Sequence, residues 1–277
     1  MNVAGKNVVV TGANTGIGRV TAVELAKQGA HVFLACRSEE RTRPVLDEIK
    51  ASGGRAELLK LDLADLTSVR KCADELLRRN EPISLLVNNA GLAGAHGLTK
   101  DGFELTFGTN HLGPYLFTRL LLPALERAEE ARIVNVASTG HYRARGIDWE
   151  AVRKPTVTRT AFPEYCVSKL ANVLFTAELA RRAPKTIHSY ALHPGAVASD
   201  VWREVPWGLR HVMKLFMLSN EQGARTTLYC ATSDAVGAAN GRYYDNSREK
   251  TPSKLAADET LARTLWEKSA AWTGLAA

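Results

Sequence analysis

Long apolar runs are missing from the 277-residue sequence: no stretch approaches the ~20 residues a membrane-spanning helix needs, which excludes a transmembrane enzyme. Cysteine is scarce. The four present, Cys36, Cys72, Cys166 and Cys230, are widely spaced and form no CxxC pair. That disfavours a disulfide framework and a zinc ribbon, and suits a reducing cytoplasm. Internal repeats, low-complexity tracts and Pro/Gly/Ser-rich linkers are also absent, so a single domain is expected over residues 1–277. The first strand-like run, Lys6–Thr11, begins almost at the first residue, so no signal peptide or transit sequence is expected. What is present is ordinary for a globular chain: apolar residues are 45 % and charged residues 23 %, enough for a sizeable core.

The formal net charge is +7. The basic residues are dispersed and often stand beside acids, as in Glu39-Glu40-Arg41 and from Glu126 to Arg132. A nucleic-acid footprint concentrates charge on one stripe or carries a recognisable module. Neither is found, so no nucleic-acid partner is expected. The mild positive charge suits the steering of an anionic cofactor.

Short apolar runs alternate with helix-like segments. Asn7–Thr11 leads into a helical pattern from Gly16 to Gln28, His31–Cys36 into a charged helix around 39–52, and Ala56–Leu61 into a helix near 65–79. Ile83–Asn88, Arg132–Ser138 and Thr186–His193 continue the series. Nearly continuous apolar strands between amphipathic helices indicate a parallel sheet covered on both faces. Right-handed crossovers then give a doubly wound α/β domain of the Rossmann type, with about seven parallel strands and helices on both faces. Ligands of such a sheet lie beyond the carboxyl ends of its strands.

The segment from Thr11 to Gly18, which contains Ala13, Asn14, Thr15 and Ile17, joins the first strand to the first helix. Gly12 permits the tight turn, Gly16 lets a pyrophosphate approach, and Gly18 lets the helix pack on the sheet. The helix opening there offers its N–H groups and positive dipole end to phosphates. At the end of the second strand an acid would bind the ribose 2′-OH of NAD, whereas an Arg accommodates the 2′-phosphate of NADP. Ala35-Cys36-Arg37-Ser38 has the Arg and no acid, which favours NADP(H). Glu39 and Glu40 read as first-turn helix acids after an N-cap Ser38.

Tyr165 and Lys169 stand four apart in a helical segment, hence on one face. A phenol titrates near 10, and a neighbouring ammonium stabilises its phenolate. Ser138, at the end of the fifth strand, and Asn110, after the fourth, are expected at the same rim of the sheet.

Thr11–Gly18, Asn88-Asn89-Ala90-Gly91, Asn110, Ser138, Tyr165, Lys169 and Pro194-Gly195 together resemble a short-chain dehydrogenase/reductase, from about residue 5 to at least 245. Phe33–Arg37, Asp101–Glu104, Asn110–Gly113, Ser168–Asn172, Leu192–Gly195 and Leu265–Ser269 are similar to the retinol-dehydrogenase-like branch. So is the 27-residue separation of Ser138 from Tyr165, longer than the family's commonest pattern. An apolar N-terminal anchor is frequent in eukaryotic members of that branch; none is expected from these residues, so membrane association is not carried over.

The resemblance implies that Tyr165 exchanges the proton of the substrate oxygen, and that Lys169 lowers the Tyr pKa and holds the nicotinamide ribose. It implies that Ser138 orients the substrate oxygen and Asn110 supports a proton relay through water. Asp62 and Leu63 would line the adenine site. Asn89, Ala90 and Gly91 would pass the adenosine ribose, and Pro194, Gly195, Val197 and Ser199 would frame the nicotinamide. The cofactor half would run to about residue 137 and the catalytic and substrate half from 138 to 277. Cys166 reads as packing, and His31, His188 and His193 as structural, with no metal site expected.

For the substrate, His141 and Tyr142 follow Ser138 in the long segment Thr139–Pro163, and loops of that length are usually functional or mobile. An apolar lid is expected at about 201–220, with Trp202, Trp207 and Met213 facing the substrate. An ordinary packed helix is the equal alternative there, and such a basic amphipathic stretch is also able to touch a membrane surface. The expected activity is NADP(H)-dependent interconversion of an apolar aldehyde, retinal-like or long-chain, with its alcohol, in the cytoplasm. A ketone or steroid reductase, a double-bond reductase and a non-catalytic nucleotide-binding regulator remain alternatives. The resemblance implies a homodimer or homotetramer.

Overall fold

Eight strands form one sheet in the computed structural model, which describes residues 1–197, 218–237 and 239–277. In chain order they are β1 (Asn7–Thr11), β2 (His31–Cys36), β3 (Arg55–Lys60), β4 (Leu85–Asn88), β5 (Ala131–Val136), β6 (Ile187–His193), β7 (Arg242–Asp245) and β8 (Arg248–Glu249). The spatial order is β3-β2-β1-β4-β5-β6-β7-β8. The first seven are parallel, in keeping with the expected sheet. The addition is β8, a two-residue strand antiparallel to β7 and too short to show an apolar pattern.

Helices α1 (Gly16–Lys27), α2 (Glu39–Ala51), α3 (Leu66–Arg78), α4 (Gly113–Glu126), α5 (Phe162–Arg182), α6 (Asn220–Thr232) and α7 (Glu259–Thr273) cover the sheet. Alternate residues of a strand face opposite sides, and the strands obey this. Val8, Val10, Val32, Leu34, Leu85 and Val87 pack with α1, α2 and α6 residues such as Leu25, Ile49 and Cys230. Val9, Phe33, Leu86 and Ile133 pack with α3, α4 and α5 residues such as Val69, Leu121 and Phe175. Both faces are buried, which is why the strands read as unbroken apolar runs.

The helix starts are set by local hydrogen bonds. Ser38 Oγ accepts from the Arg41 N–H at 3.3 Å, and Asp65 Oδ1 accepts from Thr67 and Ser68 at 3.0 and 3.2 Å. Such caps satisfy N–H groups that have no partner within the helix. β3 spans Arg55–Lys60, one residue earlier than its apolar run suggests, and both ends are exposed because it is an edge strand.

Polar residues inside the sheet are joined by hydrogen bonds. Asn88 Nδ2 donates to Thr118 Oγ1 and Asn135 Oδ1, each at 2.9 Å, and Asn135 Nδ2 donates to Thr176 Oγ1 at 2.9 Å. The network ties β4 and β5 to α4 and α5 just below the rim where the motifs gather. Among the described residues no helix is long and apolar enough to cross a membrane.

The chain winds outward from β1 to β3 and then crosses back to β4 beside β1. That reversal opens a crevice at the carboxyl ends of β1 and β4, where ligands of doubly wound sheets bind. The long segment after β5 is strapped down. Glu104, 2 % exposed, accepts from Thr156 Oγ1 at 2.5 Å, its backbone N–H donates to Val152 O at 2.9 Å, and Glu164 accepts from Thr158.

Candidate active site

A cleft of about 720 Å³ follows the rim from the β1–α1 turn to the end of β6. The size lies within the range of small-molecule and cofactor sites. Gly12, Asn14, Thr15, Gly16, Ile17, Gly18, Arg37, Asp62, Leu63, Asn89, Ala90, Gly91, Pro194, Gly195 and Val197 all line it. Ser199 lies outside the described residues.

The glycines of the first turn are needed where they stand. Gly12 has φ +67°, and a Cβ there would lie 2.9 Å from Ala90 Cα. At Gly18 a Cβ would lie 2.4 Å from both Gly12 O and Asn89 Nδ2. The facing wall is clamped by Thr11, whose hydroxyl accepts from the Asn89 and Ala90 N–H groups, both at 3.0 Å. Two walls therefore close on the turn with no room for side chains, and the first turn of α1 opens onto the cleft. This arrangement fits a dinucleotide with its pyrophosphate at the start of α1.

Arg37 is exposed at the lip, and Arg41, from the first turn of α2, lines the same end of the cleft. Sequence reasoning missed Arg41. Its position one helical turn beyond the N-cap Ser38, on the side of the strand end, was the available signal.

At the other end Ser138, Tyr165 and Lys169 share the wall. Tyr165 is 7 % exposed, and burial pushes its phenol up to about 12, while a hydrogen bond with Ser138 pulls it back. Lys169 is 4 % exposed; its Nζ donates to Val136 O at 2.7 Å and lies 5.6 Å from the centre of the Tyr165 ring. Burial pushes the Lys169 amine down to about 8. The expected lowering of the Tyr165 pKa by Lys169 therefore works against a larger upward push from burial. Burial dominates both groups, and it favours a neutral phenol, a proton donor, over a phenolate.

Asn110 sits in a π-helical turn, Gly108–Leu112, that interrupts the helical run before α4. Its side chain holds the wall behind the cleft. Oδ1 accepts from the Leu92 N–H at 2.8 Å, and Nδ2 donates to Leu92 O at 2.9 Å and Ser168 Oγ at 3.0 Å. Both amide hydrogens are spent on Leu92 and Ser168, so the side chain holds this turn in place, and any part Asn110 takes in a water relay falls to its backbone. A Cβ at Gly91 would lie 3.2 Å from Asn110 Oδ1 and 3.6 Å from Lys169 Nζ, so Gly91 keeps that corner clear.

The substrate expectations divide. Tyr142 lines the cleft, with Arg143 and Phe162, two residues the motifs did not mark. Phe162 stacks on Tyr165, with ring centres 6.2 Å apart. His141 is corrected: it is fully buried behind Ser138 and does not line the cleft. Trp202, Trp207 and Met213, and most of the expected lid, lie outside the described residues. The chain leaves those residues at Val197 and re-enters at Leu218, which pair with each other beside Gly195.

Of the other singled-out residues, His193 lines the cleft at the end of β6, which corrects its purely structural reading. All four cysteines are free and buried, Cys166 among them. His31 contacts Asn7 Oδ1 at 3.2 Å and Glu57 at 3.0 Å.

Comparison with known proteins places these features in context. The sequence profile of the short chain dehydrogenase family matches residues 6–149. The chain is 41 % identical to human retinol dehydrogenase 11 over 278 residues, covering 98 % of this chain and 86 % of the relative. It is 40 % identical to human dehydrogenase/reductase SDR family member 13 over 283 residues, covering 99 % and 74 %. Among solved structures, an uncharacterized protein from Mycobacterium paratuberculosis is similar with a TM-score of 0.80 and 34 % identity, covering 99 % of this chain and 95 % of that one. A structure described as a candidate NAD(P)-dependent gluconate 5-dehydrogenase from Beutenbergia cavernae, with NADP bound at low occupancy, is similar with a TM-score of 0.68 and 27 % identity, covering 88 % and 96 %.

Proposed function

The chain belongs to the short-chain dehydrogenase/reductase family, in its retinol-dehydrogenase-like branch, and on that premise we propose that it is an NADP(H)-dependent oxidoreductase interconverting an apolar aldehyde with its alcohol. The observation that carries the reading is one cleft with two ends. One end is a glycine turn and an arginine lip; the other is Ser138, Tyr165 and Lys169.

A nicotinamide coenzyme held between the glycine turn and Lys169 would supply the hydride chemistry. The protein's own part is orientation and proton transfer. Ser138 donates a hydrogen bond to the carbonyl oxygen and fixes its position. Tyr165, neutral in its buried setting, gives that oxygen the proton that completes the alcohol. Lys169, as an ammonium, stabilises the charge left on the phenol oxygen. Asn110 holds Leu92 and Ser168, and through them the wall against which Lys169 stands.

Arg37, with Arg41 beside it, gives the lip the charge that a 2′-phosphate requires and contributes no carboxylate to repel it. Relatives named as retinol dehydrogenases support an apolar aldehyde, and Tyr142 and Phe162 give the reacting end an aromatic wall. Action in the cytoplasm as a homodimer or homotetramer belongs to the same proposal, supported by the free cysteines and the family resemblance.

The test is a panel of retinal, straight-chain aldehydes, ketones and short polar carbonyls, run with NADPH and with NADH. The expected result is NADPH preference, with kcat/KM rising along the aldehyde series by up to about 0.8 kcal/mol per buried CH₂. Arg37→Asp removes a charge-assisted contact of roughly 1.5–3 kcal/mol, so NADPH preference should fall by one to two powers of ten or more. A wild-type preference for NADH would sink the coenzyme assignment; equal reduction of short polar carbonyls would sink the apolar substrate.

A further inference from the structure

Behind Ser138, on the side away from the cleft, a buried imidazole joins the active-site turn to a distant part of the chain. Ser138 caps a 3₁₀ turn, Thr139–Arg143, with its Oγ accepting from the Gly140 N–H at 3.0 Å. In a 3₁₀ turn residues i and i+3 eclipse, which sets His141 directly over Ser138. The Ser138 carbonyl receives two donors from that one residue, the His141 backbone N–H at 3.2 Å and Nδ1 at 2.6 Å.

The other ring nitrogen settles the tautomer. The Ser253 backbone N–H points at Nε2 at 3.2 Å, so Nε2 accepts and Nδ1 carries the proton. His141 is fully buried between Tyr142 and Tyr243, with ring centres at 4.0 and 4.7 Å, and burial holds it neutral by lowering its pKa. The next side chain makes a parallel tie, for Tyr142 OH donates to Thr251 O at 2.5 Å.

We propose that His141 is a positioning residue for the reaction: it fixes the backbone of Ser138 and anchors it to the Thr251–Ser253 segment. The inference rests on the assignment of Ser138 to substrate orientation. Ser138 sits at a strand end followed by a short turn, and its hydroxyl serves both Gly140 and Tyr165. A rotation of its carbonyl turns that hydroxyl away from the substrate oxygen, and misplacement of about 1 Å near a reacting centre can cost 10²-fold in rate.

The experiment uses three variants of the full chain, His141→Asn, His141→Gln and His141→Leu. The Asn amide N–H stands where Nδ1–H stands and keeps the bond to Ser138; the Gln amide reaches the Nε2 position and does not. Each variant is measured for kcat and KM with an accepted aldehyde, for coenzyme affinity, for melting temperature and for hydrogen exchange at Ser253. We expect His141→Asn to keep kcat within about 3-fold of wild type, and His141→Gln and His141→Leu to lose about 10- to 100-fold in kcat, with coenzyme affinity unchanged in all three. Faster exchange at Ser253 in His141→Leu reads the tether without relying on activity. If His141→Leu does not fold, the Asn–Gln contrast still decides. Equal kcat in Asn and Gln variants, or a Ser253 amide that exchanges no faster in the Leu variant, overturns the proposal. An inactive wild type with a protected Ser253 amide instead overturns the functional reading beneath it.

Discussion

Tyr165→Phe is expected to lower kcat by at least about 10²-fold while leaving coenzyme affinity close to wild type. The change removes one oxygen from a buried ring whose packing on Phe162 remains. What is lost is the proposed proton donor and the hydrogen bond shared with Ser138. No other phenol among the described residues can take over from the same wall. Tyr142 lines the cleft, but its OH is committed to Thr251 O, and Tyr243 is buried beneath the site. The measurement is steady-state reduction of an accepted aldehyde beside coenzyme titration of the same preparation. Near-full activity in Tyr165→Phe would show that the proton comes from elsewhere.

Lys169→Ala should damage both turnover and coenzyme affinity. The Nζ lies 5.6 Å from the Tyr165 ring centre. Unit charges ~6 Å apart at an effective dielectric constant of ~20 attract by about 3 kcal/mol, which corresponds to about 10²-fold in rate. The same substitution leaves Val136 O without its donor at the cleft wall. A pH signature separates the charge from the packing. Burial pushes the Lys169 amine down to about 8, which makes it an ammonium below that pH and neutral above it. Reductive kcat/KM of the wild type is therefore expected to fall as pH rises through about 8, since this ratio reports groups of the free enzyme. Lys169→Ala should lose that limb. A variant that keeps the same falling limb would assign the titration to another group.

The parts of this fold that were legible in the sequence are those where both sheet faces are buried. His31–Cys36 and Asn7–Thr11 read as strands because every second residue meets a helix layer on one side and its neighbours meet the other. β8 was not legible, because two exposed residues carry no pattern. The glycine turn was legible because its spacing is dictated by contacts closer than a Cβ allows. Proximity in sequence misled at His141. Standing three residues after Ser138 suggested the substrate wall, but the 3₁₀ period turns the ring inward over the Ser138 carbonyl. Asn110 was expected at the rim; its π-helical turn aims the side chain at Leu92 and Ser168, behind the cleft wall. Glu104 was seen only as part of a motif, and its buried grip on Thr156 depends on a loop whose path no local pattern reveals.

The most direct test of the central claim is transfer of a label. NADPH deuterated at the transferring position of the nicotinamide is mixed with the wild-type protein and retinal, and the alcohol is examined by mass spectrometry. The account predicts retinol carrying one deuterium, formed at a rate that Tyr165→Phe lowers by at least about 10²-fold. Coenzyme binding without any labelled alcohol, from retinal or from any other carbonyl of the panel, would contradict it and mark the chain as a nucleotide-binding protein that performs no reduction.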